Sequence, residues 1–412
     1  MYKKFIKILD RVTPGASRSL GWEVVMSLVT FPASILLNRT LGAEDRGLLA
    51  LTILVPSTIF VLGSCQWDRL LKGLITSKQI SAKEAWHRTL YYNYWLSIIF
   101  IPIGIITSQA FSGLPDDAKL FSIIYCINFP IHFLGGSLSA IYVALGSIDG
   151  QYLMRVGYQG SYLILLFSLL ILKIVSVQSV VFVYIAIHLF SLASGWIQKN
   201  RLLTGISLKI RPPLLPLIKA FVPYLLESFS DKIHIWAFYI FGSLISLGQY
   251  MGITALMLPV GIVSNAMTSG STARLDWTQR SLVRRYLVKT VIVLVCLLLA
   301  LVIGGTLVGP YILGSVLGKS FESGKWMIPW VAVIVVSQAA AFQFHSALQL
   351  SGFLNAYLMI QTIEPFVRFL IVLALGQWLA ELGILLGMAV TYVLKIVACI
   401  YTYENAKVTK IM

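Results

Sequence analysis

Apolar residues run along this chain in long blocks cut by short polar breaks, not in the alternating stripes of half-buried surface elements. Cutting at the breaks gives twelve apolar segments. They span 17–38, 47–66, 89–110, 119–146, 153–173 and 177–198, then 217–243, 248–270, 287–313, 326–350, 354–376 and 381–403. About 20 helical residues cross a hydrocarbon core of about 30 Å, and every block reaches that length. The pattern predicts an all-α polytopic membrane protein with about twelve transmembrane helices, since a helix satisfies its own backbone in lipid.

Composition agrees with the blocks. Of 412 residues, 58% are hydrophobic and 12% charged, and the mean hydropathy is +0.84. Soluble domains carry roughly twice that charge, so this chain needs lipid as part of its solvent. The basic start, residues 1–11, looks superficially like a secretory signal. The apolar stretch from Leu20 to Leu37 is too long for a signal core, and a retained first span is expected.

The net charge of +16 is unevenly placed. The amino-terminal tail with Arg18 and the second, sixth and eighth loops hold twenty basic residues, among them Arg280, Arg284, Arg285 and Lys289. The odd-numbered loops hold six. That asymmetry sets both termini inside (N-in and C-in) and marks membrane orientation, with no nucleic-acid partner expected. Cys65, Cys126, Cys296 and Cys399 stand singly in apolar surroundings, which suggests small buried hydrophobes and neither disulfides nor a metal site.

An internal echo divides the chain. Leu41-Gly42, Gly47, Ala50-Leu51 and Pro56 recur as Leu247-Gly248, Gly252, Ala255-Leu256 and Pro259. Ser139-Ala140 ahead of Gly146 recurs as Ser346-Ala347 ahead of Gly352. The expected organisation is a six-helix bundle over 1–198, a basic cytoplasmic linker over 199–216 and a second six-helix bundle over 217–412. Six helices per half make the halves parallel repeats around a central lumen, an architecture of transporters.

Charges inside the blocks are the candidate chemistry. Segment seven holds Glu227, Asp231, Lys232 and His234, and three charges facing lipid would cost on the order of 8 kcal/mol. The spacing of 227, 231 and 234 aligns them on one face of a continuous helix. Either that face lines a watery cavity, or the cluster neutralises itself structurally. Segment eleven places Glu364 and Arg368 at i and i+4, the spacing of an intrahelical salt bridge, with Pro365 between them. Segment ten carries Gln338, Phe342, His345 and Gln349 along one expected face, and segment four has Asn128 and His132 four apart. For each histidine the simpler expectation is an interhelical hydrogen bond. Arg18, Glu23 and Arg155, near the inner mouth, suit either phosphate contact or ordinary interfacial anchoring.

No phosphate loop, zinc-protease, nucleophile-elbow or dinucleotide motif occurs in a credible context, and no loop is long enough to carry an outer catalytic set. Catalysis is not expected.

Residues Phe31 to Ser57 carry a basic residue (Arg39), Leu41-Gly42, the acidic pair Glu44-Asp45, Gly47 and Ala50-Leu51. This resembles the opening signature of bacterial polysaccharide-repeat-unit (O-antigen) flippases. Residues 221–259 and 317–352 are similar to that family's seventh and eighth helices and its ninth-to-tenth loop and tenth helix. The resemblance implies a fold like that of the multidrug/oligosaccharidyl-lipid/polysaccharide (MATE/MOP) exporters, in the bacterial cytoplasmic (inner) membrane. It implies an undecaprenyl-pyrophosphate-linked oligosaccharide as substrate, flipped to the outer leaflet for O-antigen, capsule or exopolysaccharide assembly, alongside other polysaccharide assembly proteins. Arg18, Arg155, Lys232 and Arg368 would be its lumen cations. Glu227 and Asp231 depart from a purely cationic lumen and are candidates for a coupling proton or sodium ion, with no other cofactor expected. Cation-coupled efflux of organic cations is the alternative. A membrane glycan polymerase or acyltransferase fits less well.

Overall fold

The structure, a computed structural model, describes residues 16–64, 67–76, 80–111, 114–145, 147–202, 225–227, 229–258, 260–264, 267, 275, 277 and 279–405. The amino-terminal tail, Cys65, Pro223 and most of the expected 199–216 linker lie outside the described residues. The described chain is almost entirely helical, and each of the twelve predicted blocks contains helix. Seven described helices are long and apolar enough to cross a membrane, or eight when one bent pair counts as a single span. Two of those seven are far longer than one crossing. At 1.5 Å per residue, 44 and 51 residues would reach more than twice the hydrocarbon thickness. Each contains one non-helical residue, and each corresponds to two of the predicted blocks.

Helices are numbered here with those breaks respected. α1 (16–41) and α2 (43–64) meet at Gly42, whose φ of 75° falls where a side chain is disfavoured. They are followed by α3 (Trp67–Thr76), α4 (Ala82–Ala110), α5 (Asp116–Cys126), α6 (Phe129–Ala144), α7 (Ile148–Ile171) and α8 (Val177–Leu202). Then come α9 (Ile233–Phe241), α10 (Leu244–Leu256), α11 (Arg280–Leu307) and α12 (Ile328–Leu350). The last two, α13 (354–379) and α14 (381–405), meet at Ala380.

The chain forms two compact units. One is Glu44–Ile235, and the other joins Met1–Ala43 to Trp236–Met412. In the first, α7 packs along α8, while α3 and α4 lie against α6. Its core is aromatic: the Phe60 ring sits 5.4 Å from Tyr125 and 5.8 Å from Phe129. α5 and α6 are bent by 47° at Ile127–Asn128. Pro130 explains the break, because it supplies no N–H and its ring collides with the carbonyl four residues back.

In the second unit, the Leu41-Gly42 turn is fastened to residues 313–323. Arg39 donates to the Ser315 carbonyl at 3.1 Å and the Ala43 N–H donates to Ser320 Oγ at 3.2 Å. Gln249 of α10 reaches the same segment, donating to the Ser320 carbonyl at 2.9 Å and to Ser323 at 2.6 Å. Both halves of the sequence echo thus include a buried leucine, Leu41 and Leu247, beside a contact to one loop.

α13 and α14 form an antiparallel hairpin. The register follows from glycines: Gly383 faces Leu375 and Gly376, and Gly387 faces the backbone of Val372. Each step of four along α14 matches a step of about four back along α13, so Lys395 lies opposite Glu364. Small residues at these points let the backbones approach as interfaces in lipid require. A methyl group at 387 would lie 2.9 Å from Val372 Cα, whereas one at Gly160 of α7 meets nothing within 4 Å. Gly387→Ala should therefore destabilise by about 1–3 kcal/mol through overpacking. Gly160→Ala should be neutral or stabilising by up to about 1 kcal/mol. Thermal unfolding of the two purified variants in detergent checks the contrast.

Candidate functional site

The hairpin register brings three charges together in the interior of one unit. Glu364 and Arg368 are 7% and 1% exposed and form a salt bridge within α13. The spacing of four residues predicted that pair. Lys395, on α14, was not expected there. Its Nζ lies 3.4 Å from Glu364 Oε2, so one carboxylate is divided between two cations. Tyr392, one turn before Lys395, accepts from Arg368 Nη1 at its hydroxyl (3.2 Å), and its ring lies 4.3 Å from the guanidinium carbon. That combination of hydrogen bond and cation–π contact fixes the plane of the guanidinium.

A groove of about 300 Å³ runs over this cluster, lined by the two arms of the hairpin. Glu364 and Lys395 contribute to its wall. Its rim is apolar and open, with Met359, Ile363 and Leu394 each about half exposed. An ammonium group therefore sits within an apolar trough. An anion carrying a hydrocarbon tail could use both parts at once, the anion at Lys395 and the tail along the rim.

The other predicted residues are placed as follows. Glu23 is buried in α1 at 5% exposure. The side chain of Arg18 lies outside the described residues. Arg155 is half-buried on α7, with its guanidinium carbon 5.2 Å from the Tyr152 ring centre. Segment seven is not one continuous helix. Asp231 and Lys232 form a turn between residues 225–230 and α9, where bonding shifts from four-residue to three-residue spacing. Asp231 is exposed there, and Glu227, Lys232 and His234 are half-buried. What departs from the expected common face is exposure, since Asp231 is open while Glu227 and His234 are partly covered.

In segment ten, three of the four residues of the expected stripe share one exposure and the fourth does not. Gln338, Phe342 and Gln349 are exposed, while His345 is turned inward at 4% exposure. Its ring stacks on Tyr357 at 4.1 Å, and Nε2 donates to the Tyr357 carbonyl at 3.2 Å, the interhelical bond expected of a structural histidine. The polar residue buried deepest in α12 is Gln343, which donates to the Ser264 carbonyl at 2.9 Å and accepts from the Tyr286 hydroxyl at 2.7 Å. In the other unit, the α5–α6 break presents Asn128 to His188 of α8 at 3.0 Å, and His132 lies 5.0 Å from the same ring. His188 was not singled out, because the side chains it meets, Asn128 and His132, lie far from it in sequence. Among the described residues no group of histidine, cysteine or acidic side chains is arranged to hold a metal ion.

No family model matches the chain, and no curated protein sequence matches it. Solved structures do. A lipid II flippase, MurJ, in an inward-closed conformation aligns with a TM-score of 0.68 at 11% identity, over 93% of this chain and 87% of that one. An inward-facing multidrug-resistance MATE family transporter of the MOP superfamily gives 0.67 at 14% identity, over 93% and 96%. A MOP-superfamily transporter from Pyrococcus furiosus, described as having a binding pocket of reversed polarity, gives 0.66 at 13%, over 97% and 99%. The chain has the MATE/MOP transporter fold. It is a multi-pass membrane protein whose structural neighbours are transporters and a flippase. At these identities fold alone is shared, so the Glu364 cluster is interpreted from this chain's own geometry.

The cluster makes an asymmetric stability prediction. Glu364→Gln leaves two buried cations without their shared carboxylate and should cost about 3–5 kcal/mol. Lys395→Met leaves the Glu364–Arg368 pair intact and should cost about 1 kcal/mol or less. Melting temperatures of both variants in detergent, with Glu364→Gln far lower, would bear this out. Equal losses would mean that Lys395 is as necessary to the fold as the carboxylate.

Proposed function

We propose that this protein is a flippase for a lipid-linked oligosaccharide. On this reading it moves an undecaprenyl-pyrophosphate glycan repeat unit from the inner to the outer leaflet of the bacterial cytoplasmic membrane. There the unit serves assembly of a surface polysaccharide (O-antigen, capsule or exopolysaccharide). The observation that carries the reading is Lys395 sharing the Glu364 carboxylate with Arg368 in a groove with an apolar rim. A pyrophosphate competes well for an ammonium group whose carboxylate partner is already shared, and a prenyl chain suits the rim. Arg155 and Lys232 are proposed as further contacts to the anionic headgroup, and the fold supports alternating access. Asp231, exposed beside Lys232, is the proposed position of a coupling proton or sodium ion.

Efflux of organic cations, as in the multidrug transporters of this fold, is the competing reading. It would need a carboxylate open to an organic cation, and the exposed Asp231 is the candidate. In a host lacking the gene, lipid-linked oligosaccharide and surface polysaccharide are followed together, with rescue by the wild-type chain, Lys395→Met, Lys232→Ala or Asp231→Asn. The expected outcome is loss of surface glycan with lipid-linked units retained on the cytoplasmic face. Lys395→Met should restore no more than about a tenth of wild-type glycan, given the ~1.5–3 kcal/mol typical of a hydrogen bond to a charged group. Normal surface glycan with new sensitivity to cationic drugs would replace the flippase with the efflux reading.

A further inference from the structure

α11 begins with four basic residues in ten, Arg280, Arg284, Arg285 and Lys289. Positive charge at the inner end of a span is ordinary orientation signal. Here the four side chains line a concavity of about 640 Å³, closed on the far side by Tyr403 and Glu404 of α14. Among the described lining residues, one carboxylate therefore faces four cations. It meets one of them, Arg284 Nε, at 3.6 Å, with both side chains at least half exposed.

The basic hollow does not end at the polar residues. It is continuous through Arg284, Val288, Tyr403 and Glu404 with a second groove of about 310 Å³. That groove is walled by Leu287, Val291 and Ile292 of α11, Phe344 of α12 and Ile400 of α14. From Arg284 to Ile292 it descends about 12 Å along the helix axis, from headgroup level into the hydrocarbon region. The Trp277 and Tyr286 rings pack edge to face at 5.8 Å near the same helix end, as aromatic residues do at a membrane interface.

We propose that this composite groove binds one anionic phospholipid of the inner leaflet, its phosphate among Arg284, Arg285 and Lys289 and one acyl chain along Val288, Val291 and Phe344. The charge pattern selects the headgroup. A zwitterionic lipid brings its own ammonium group to a site that already holds four cations, whereas phosphatidylglycerol brings only the phosphate. The apolar continuation selects a lipid over a free phosphate, which would leave the lower groove unfilled. A lipid seated there ties α11 to the end of α14. The site is separate from the Glu364 groove and does not depend on which substrate the protein moves.

The test uses the purified full chain in a neutral detergent. Its melting temperature is measured against added phosphatidylglycerol, phosphatidylcholine with the same acyl chains, and glycerol phosphate. Phosphatidylglycerol should raise the melting temperature at concentrations where the other two do not, and the shift should shrink with salt. The Arg284→Gln/Arg285→Gln/Lys289→Gln chain should lose about 100-fold in apparent affinity, at roughly fivefold per charge. Val288→Trp should block the lipid with every charge in place. Equal shifts with phosphatidylcholine, or full retention of the response in the triple variant, would overturn the proposal. A shift reproduced by glycerol phosphate alone would reassign the hollow to a soluble anion. The comparison on the unmodified chain decides between these outcomes even where a variant fails to fold.

Discussion

A charge in hydrocarbon must be answered by another charge or by water, and much of the α13–α14 hairpin follows from that constraint. Glu364, Arg368 and Lys395 are buried together, and the carboxylate is the group both cations share. It can be shared only if the two helices hold a fixed register at a short separation. Gly383 and Gly387 provide both, since a side chain at either position would meet the opposite backbone. Close approach in one part of the hairpin and ion pairing in another are therefore two consequences of the same packing.

The turn between the two arms is strained to match. Ala380 has a φ of 49°, which a residue with a Cβ adopts only when its surroundings hold it there. Next to it, the Glu381 carboxylate accepts from Ser246 Oγ in the first turn of α10, and Ser243 caps that helix by accepting from the Ser246 N–H. The start of one helix and the reversal of another are thus tied at a single point. The hairpin and α10 hold each other's ends in place without a long connecting loop.

Polar groups at the α5–α6 break of the other unit are handled differently. There the α5–α6 break, caused by Pro130, turns Asn128 toward His188, and the rings of Tyr125 and Tyr158 pack against that histidine. No salt bridge joins them. Aromatic edges and hydrogen bonds serve the polar groups at this break, while elsewhere in the unit the buried Arg88 does take a counter-ion, Glu84 at 2.6 Å.

Helix content, the order of the spans and the Glu364–Arg368 pair were all legible in the sequence. Hydrophobic block length and i, i+4 spacing are local properties, and lipid allows the backbone few other choices. The Leu41-Gly42 signature also marked a real break in the helix, because a glycine with positive φ is a local requirement. Lys395 looked like an isolated residue in an apolar block, since its partner lies 31 positions away. Only the antiparallel register places it opposite Glu364. On α12, Gln338, Phe342 and Gln349 are exposed together as spacing suggests, but spacing could not show that His345 and Gln343 pack against Tyr357 and Ser264. In segment seven, bonding tightened at Asp231–Lys232, and Asp231 is exposed where Glu227 and His234 are half-buried, which spacing alone does not give. The sequence by itself determined which stretches are helices and which charges are adjacent within one. The tertiary structure alone decided which charges meet across helices, because that depends on how closely two backbones can approach and in what register.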